Sequence, residues 1–137
     1  MWHTLSQMSA VPSPPLKTIL VVDDSPTIRQ LMRIYLMKLK VEIVEATDGQ
    51  DALEKLRSQP VALIFSDVQM PKMDGFALLE AVRAEFGSLP FVMLTMQQDQ
   101  GLRMKALAAG ASALLDKPAK PEALLSLANS LLGLEQK

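Results

Sequence analysis

Cysteine is absent from this 137-residue chain, and that absence removes disulfides, thiolate metal centres and cysteine nucleophiles together. Histidine is nearly absent. The only one, His3, stands in a stretch without apolar periodicity, which disfavours a Ser-His-Asp triad, a histidine-rich zinc site and an internal phosphohistidine. A chain so composed is better suited to receive chemistry from a histidine elsewhere than to supply one. Clustered positive charge is missing too: 14 Lys and Arg lie scattered among 15 Asp and Glu, for a net charge of −1. That argues against nucleic acid as a partner, because binding to a phosphate backbone needs many basic groups on one surface. No apolar run approaches the roughly 18 residues of a membrane span. The N-terminus lacks the charged and apolar regions of a signal peptide, so a cytoplasmic protein with no membrane partner is expected.

What is present is the balance of one soluble globular domain, with 49% apolar and 21% charged residues at a length that fits a single core. Residues 1–17, with Ser6, Ser9 and Ser13 among Pro12, Pro14 and Pro15, read as a flexible, polyproline-like lead-in, which leaves 18–137 as the folded domain. Short apolar runs at 18–22, 41–45, 61–66, 91–95 and 112–115 read as strands. Helical spacing separates and follows them: Ile28, Leu31, Met32, Tyr35 and Leu36; Ala52, Leu53 and Leu56; Leu78, Leu79, Val82 and Phe86; Leu102, Ala106 and Leu107; Leu124, Leu127, Ala128 and Leu131. Five successive βα units predict a doubly wound α/β domain, a parallel five-stranded sheet with five helices over its faces. The continuously apolar runs Ala62-Leu63-Ile64-Phe65 and Phe91-Val92-Met93-Leu94 suit strands covered on both sides.

In an open parallel sheet of this kind, ligands bind beyond the carboxyl ends of the strands. Asp23 and Asp24 end the first strand, Asp67 the third and Thr95 the fourth, and Lys117 follows the fifth. Together with their surroundings, Val21-Val22-Asp23-Asp24-Ser25, Glu45-Ala46-Thr47-Asp48-Gly49, Asp67-Val68-Gln69-Met70-Pro71 with Asp74-Gly75, Leu94-Thr95, Ala109-Gly110-Ala111 and Asp116-Lys117-Pro118, these residues resemble a response-regulator receiver domain of two-component signalling. The resemblance runs from about Thr18 to Leu132. It implies the flavodoxin-like strand order 2-1-3-4-5, which is the known order of chemotaxis-type members of the family and not a reading of this pattern. In that order the four strand tips are neighbours, and three carboxylates, a hydroxyl and an ammonium converge.

Three adjacent carboxylates repel one another and need a cation. Oxygen ligands at that density suit Mg²⁺ with room for a phosphate, and phosphoryl transfer uses an acceptor oxygen, a metal and fixed positive charge. The resemblance implies the roles. Asp67 would be the phosphoacceptor and a Mg²⁺ ligand beside Asp23, Asp24 and the Gln69 carbonyl; Thr95 would respond to the phosphoryl group and Lys117 would pair with it. The donor would be a sensor histidine kinase or a histidine phosphotransfer protein. The output would be phosphorylation-controlled protein binding or onward relay, by a monomer or a dimer, since no output domain follows the fifth helix. Such a chain is a phosphoacceptor that catalyses its own modification and slow dephosphorylation, not an enzyme acting on others. The family resemblance also implies a cis bond before Pro118, although X-Pro bonds are trans by default.

Two other readings are weighed, and the order of motifs decides against the first. An aspartyl-phosphate hydrolase uses the same residue types, but with a nucleophile Asp two residues before a second Asp near the start. Here the acidic pair comes first and Val68-Gln69 follows Asp67. A receiver-like binder that works without phosphorylation is opposed by the intact Asp67 and Lys117 and modestly supported by Leu114, which stands where an aromatic is usual; further departures from the family pattern are Met96, where a small residue follows the switch hydroxyl, and Ala119 after Lys117-Pro118. Gly49 and Gly75 read as turn and helix-entry residues.

Overall fold

A computed structural model describes residues 16–96 and 100–134. The strands are β1 (Lys17–Val22), β2 (Val41–Ala46), β3 (Leu63–Asp67), β4 (Phe91–Thr95) and β5 (Ala113–Asp116). The helices are α1 (Pro26–Leu36), α2 (Gly49–Ser58), α3 (Gly75–Phe86), α4 (Gln100–Ala108) and α5 (Pro121–Leu132). All strand pairs are parallel, in the order β2-β1-β3-β4-β5, so the expected doubly wound architecture and strand order are both present. β1 starts one residue before the expected strand and β3 two residues after it, which places Asp67 inside β3 rather than beyond it. The lead-in expected over 1–17 lies outside the described residues except for Leu16 and Lys17, and Lys17 already belongs to β1.

Alternation along the strands divides the core. Ile19, Val21, Leu63, Phe65, Val92 and Leu94 face α1 and α5, where Met32, Leu36, Leu124, Ala128 and Leu132 complete one buried cluster. Leu20, Val22, Ile64, Phe91 and Met93 face α2, α3 and α4, and meet Ala52, Leu53, Leu56, Leu78, Leu79, Val82 and Ala106. Leu114 joins this second cluster, 4% exposed. The expected apolar face of the fourth helix needs correction: Leu107 is 47% exposed while Ala106 is fully buried. One residue turns an α-helix by roughly 100°, and α4 buries a stripe too narrow to include both.

Helix starts are set by short side chains. Ser25 accepts a hydrogen bond from the Ile28 N–H at 3.3 Å, Asp48 from Asp51 at 2.8 Å and Asp74 from Ala77 at 2.8 Å, each satisfying an N–H that the first helical turn leaves unpaired. Pro26 and Pro121 occupy first-turn positions, where the missing N–H costs nothing. The loops that these caps terminate lie at the carboxyl end of the sheet.

Candidate functional site

Strand register brings the site together. Val22 pairs with Ser66, Asp67 with Leu94 and Thr95 with Asp116. The ladder continues one step past the strands, with hydrogen bonds from Asp23 N–H to Ala46 C=O at 3.1 Å, Val68 N–H to Leu94 C=O at 3.0 Å and Lys117 N–H to Thr95 C=O at 2.9 Å. Asp23, Asp67, Thr95 and Lys117 therefore stand at adjacent strand tips, Thr95 and Lys117 each one residue further along than the strand before. Asp23 is fully buried, Asp67 is 7% exposed and Thr95 8% exposed, while Asp24 projects to solvent.

The carboxylates of Asp23, Asp24 and Asp67 each offer an oxygen within 4.8 Å of the others. Lys117 Nζ reaches between the two buried ones, 2.9 Å from Asp67 Oδ2 as a hydrogen bond and 2.9 Å from Asp23 Oδ2. The second contact is an ion pair by distance without the alignment of a hydrogen bond, and Asp23 Oδ2 is left as a buried oxygen with no directed donor. Burial pushes the Asp23 carboxyl above its ordinary value, against the lowering effect of the Ser25 N–H and of Lys117. Burial alone would lower the Lys117 ammonium, but its close contacts with Asp67 and Asp23 and their negative charges hold it above its ordinary value. One ammonium thus stays charged among carboxylates that it does not fully balance. An incompletely paired buried oxygen beside two more carboxylates is a donor set that a small oxygen-seeking dication fits.

The remaining expected site residue, Gln69, lies on the rim. Its N–H donates to Asp67 Oδ1 at 3.3 Å, and Gln69 lines an open cleft with Asp67, Val68, Thr95, Met96 and Lys117. All six residues expected at the site are therefore brought to one place. Met96, 78% exposed, forms part of the cleft wall; Gln97, its neighbour, lies outside the described residues. The Lys117–Pro118 bond is cis, as the resemblance implied.

Three supporting residues were not singled out from the sequence. Ser25 caps α1 and its N–H donates to Asp23 Oδ1 at 2.9 Å. Arg29 donates through Nη1 to the Asp23 carbonyl at 2.6 Å, and Glu45 accepts from Arg29 Nε at 2.9 Å. A usable signal existed: helical side chains lean toward the amino end, so an arginine at the fourth position of α1 reaches back to the turn that precedes it. Gly75 was read as a helix-entry residue, and it does open α3. Its position also needs the absence of a side chain, because a Cβ there would stand 2.5 Å from the Asp67 carbonyl oxygen and 3.0 Å from Val68 Cα.

Comparison with known proteins agrees with this geometry. The family described as response regulator receiver domain matches residues 19–129. Response regulator GtcR of Aneurinibacillus migulanus is 35% identical over 105 residues, covering 77% of this chain and 43% of that protein. Sensor protein EvgS of Escherichia coli (strain K12) is 41% identical over 105 residues, 77% of this chain and 9% of that protein. Among solved structures, chemotaxis protein CheY4 of Vibrio cholerae superposes with a TM-score of 0.80 at 36% identity, covering 85% of this chain and 99% of that one. The chain spans less than half the length of these two curated relatives. With the family match, the strand order and the convergent strand tips in agreement, the chain belongs to the response-regulator receiver domains of two-component signalling.

Proposed function

We propose that this chain is a single receiver domain that takes a phosphoryl group on Asp67 from a phosphohistidine, on a sensor histidine kinase or a histidine phosphotransfer protein, and signals in the cytoplasm through protein binding or onward relay. The observation that carries the proposal is the meeting of Asp67 with Lys117 and two further carboxylates in an open cleft. In the transfer, an Asp67 oxygen attacks phosphorus, the P–N bond breaks with its electron pair passing to the imidazole, and an acyl phosphate forms. Lys117 supplies fixed positive charge to the phosphoryl oxygens, and the Thr95 hydroxyl donates to one of them. Mg²⁺ held by Asp23, Asp24, Asp67 and the Gln69 carbonyl would neutralise the oxygens that Lys117 does not reach. No helix among the described residues is long and apolar enough to cross a membrane, which suits a cytoplasmic role. The test is incubation with a small acyl-phosphate donor, followed by intact mass. One added phosphoryl group is expected with Mg²⁺ and none with chelator; no uptake at saturating donor and Mg²⁺ would favour a binder that works without phosphorylation.

The charged groups divide the work. Asp24→Ala removes a ligand oxygen and should weaken Mg²⁺ binding on the order of tenfold or more, slowing phosphorylation with it. Lys117→Ala removes the competing ammonium, so Mg²⁺ should bind at least as well while phosphoryl uptake still falls. Calorimetric Mg²⁺ titration of both variants checks this, and equal loss of affinity in the two contradicts it.

Met96 lines the cleft beside Thr95, where its side chain would narrow the approach of a water to a phosphoryl group on Asp67. In Met96→Ala the phosphorylated form should hydrolyse faster, by a factor of a few; an unchanged or longer lifetime defeats the idea.

Leu114 bears on output. An aromatic ring at this position can exchange between two packings as the switch hydroxyl moves, so that both form one bistable element. A leucine buried beside Met93 and Ala106 has no ring to exchange. Partner binding with and without beryllofluoride should therefore differ by about tenfold or less in the wild type, and by more in Leu114→Tyr. A large wild-type ratio unaffected by the tyrosine would locate the switch elsewhere.

A further inference from the structure

The loop that carries Asp23 and Asp24 is held from outside the cleft. Arg29 Nη1 donates to the Asp23 carbonyl at 2.6 Å, while Arg29 Nε donates to Glu45 Oε1 at 2.9 Å. The other Glu45 oxygen accepts from Arg33 Nε at 2.8 Å, and Arg33 Nη2 donates to the Ile43 carbonyl at 3.3 Å. Behind Glu45, its carbonyl accepts from Lys55 Nζ at 2.8 Å. The Arg29 side chain is only 13% exposed, so its planar fork is packed in place with one tooth on a carboxylate and the other on a peptide oxygen. The Glu45 carboxyl sits below its ordinary value: burial would raise it, but hydrogen bonds from Arg33 and Arg29 and their charges outweigh that.

We infer that Arg29, oriented by Glu45, is a positioning residue for the acidic pair, so that it sets Mg²⁺ affinity without touching the ion. The peptide plane between Asp23 and Asp24 is rigid. Its oxygen is fixed by Arg29, the N–H of Asp23 is fixed by the Ala46 carbonyl at 3.1 Å, and the Asp23 carboxylate is fixed by the Ser25 N–H at 2.9 Å. Releasing the oxygen lets the plane rotate, and that rotation moves the Asp24 Cα and swings its exposed carboxylate away from the other two. Supporting contacts of this sort commonly govern metal affinity by about 10- to 100-fold.

The plain alternative is that Arg29, Glu45 and Arg33 only tie α1 to β2. Electrostatics separates the two by sign. Removing a cation close to an acidic site raises its affinity for a dication, so a merely structural or merely electrostatic Arg29 gives Arg29→Gln unchanged or tighter Mg²⁺ binding. Positioning requires the opposite.

The inference rests on the proposal that these carboxylates bind Mg²⁺, and the experiment keeps the two apart. Calorimetric Mg²⁺ titration is run on wild type, Arg29→Gln, Arg29→Lys, Arg33→Gln and Glu85→Gln without phosphodonor, each first checked for a cooperative thermal transition. Glu85 pairs with Arg57 on the far surface and serves as a control for loss of an ion pair. Arg29→Gln is expected to lose about tenfold in Mg²⁺ affinity. Arg29→Lys, which keeps the charge but not the fork, should show an intermediate loss and serves if the glutamine variant does not fold. Arg33→Gln and Glu85→Gln should bind like wild type. Wild-type binding with unchanged or tighter binding in both Arg29 variants overturns the positioning role. A wild type that binds no Mg²⁺ overturns the metal site itself and this inference with it.

Discussion

Asp67→Asn is expected to take up no phosphoryl group from any donor while keeping its fold. The amide presents no anionic oxygen to attack phosphorus, and the two neighbouring carboxylates are placed differently: Asp23 is fully buried, and Asp24 is exposed to solvent. The fold should survive because the change relieves repulsion among three carboxylates whose oxygens lie within 4.8 Å of one another. Asparagine can still accept from the Gln69 N–H that now reaches Asp67 Oδ1. Thermal unfolding at or above the wild-type midpoint, with intact mass unchanged after donor and Mg²⁺, is the expected pair of results. Uptake at the wild-type rate would place the acceptor elsewhere.

The second large effect is expected at a residue with no functional group. A Cβ on Gly75 would fall 2.5 Å from the Asp67 carbonyl oxygen, 3.0 Å from Val68 Cα and 3.3 Å from the Asp67 carbonyl carbon. These are backbone atoms, tied to their place because the Gly75 N–H donates to the Val68 carbonyl at 2.8 Å and the Val68 N–H to Leu94. Something must move, and the movable part is the stretch that ends β3 with the acceptor. Gly75→Ala should lose about 1–3 kcal/mol of stability by overpacking. Its phosphorylation rate should fall far more, on the order of 100-fold, since a displacement near 1 Å at a reacting group has that effect. Gly87→Ala is the matched comparison. Gly87 has φ +68° with open space around it, so an alanine there is strained by about 1–2 kcal/mol at a distance from the site. Comparable loss of stability in the two, with loss of phosphorylation only in Gly75→Ala, is the result expected.

The sequence was most legible where one residue type repeats with the period of an element. Continuous apolar runs marked β3 and β4 because both faces are covered, and Asp67 and Thr95 stood out as the polar residues that close those strands. Sheet order was not legible from this pattern: alternating βα units allow several orders, and 2-1-3-4-5 came with the family resemblance. Edges were less legible than centres, as at β3, where Val61 and Ala62 are apolar and precede the strand. Leu107 looked like core because a leucine beside Ala106 fits a helical stripe, yet α4 buries too little surface to use it. The supports of the site left fainter traces. Arg29 and Glu45 lie 16 positions apart and look like ordinary surface charges until β1 and β2 pair, and the demand on Gly75 comes from a backbone approach that residue identities do not announce.

The central claim is that Asp67 alone carries the phosphoryl group, and reductive mapping tests it most directly. The wild-type protein is phosphorylated with a small donor and Mg²⁺, treated with borohydride, which converts an aspartyl phosphate to homoserine, and digested for peptide sequencing by mass. Homoserine is expected at position 67 and nowhere else. Homoserine at Asp23, Asp24 or any other aspartate, with position 67 unchanged, would contradict it.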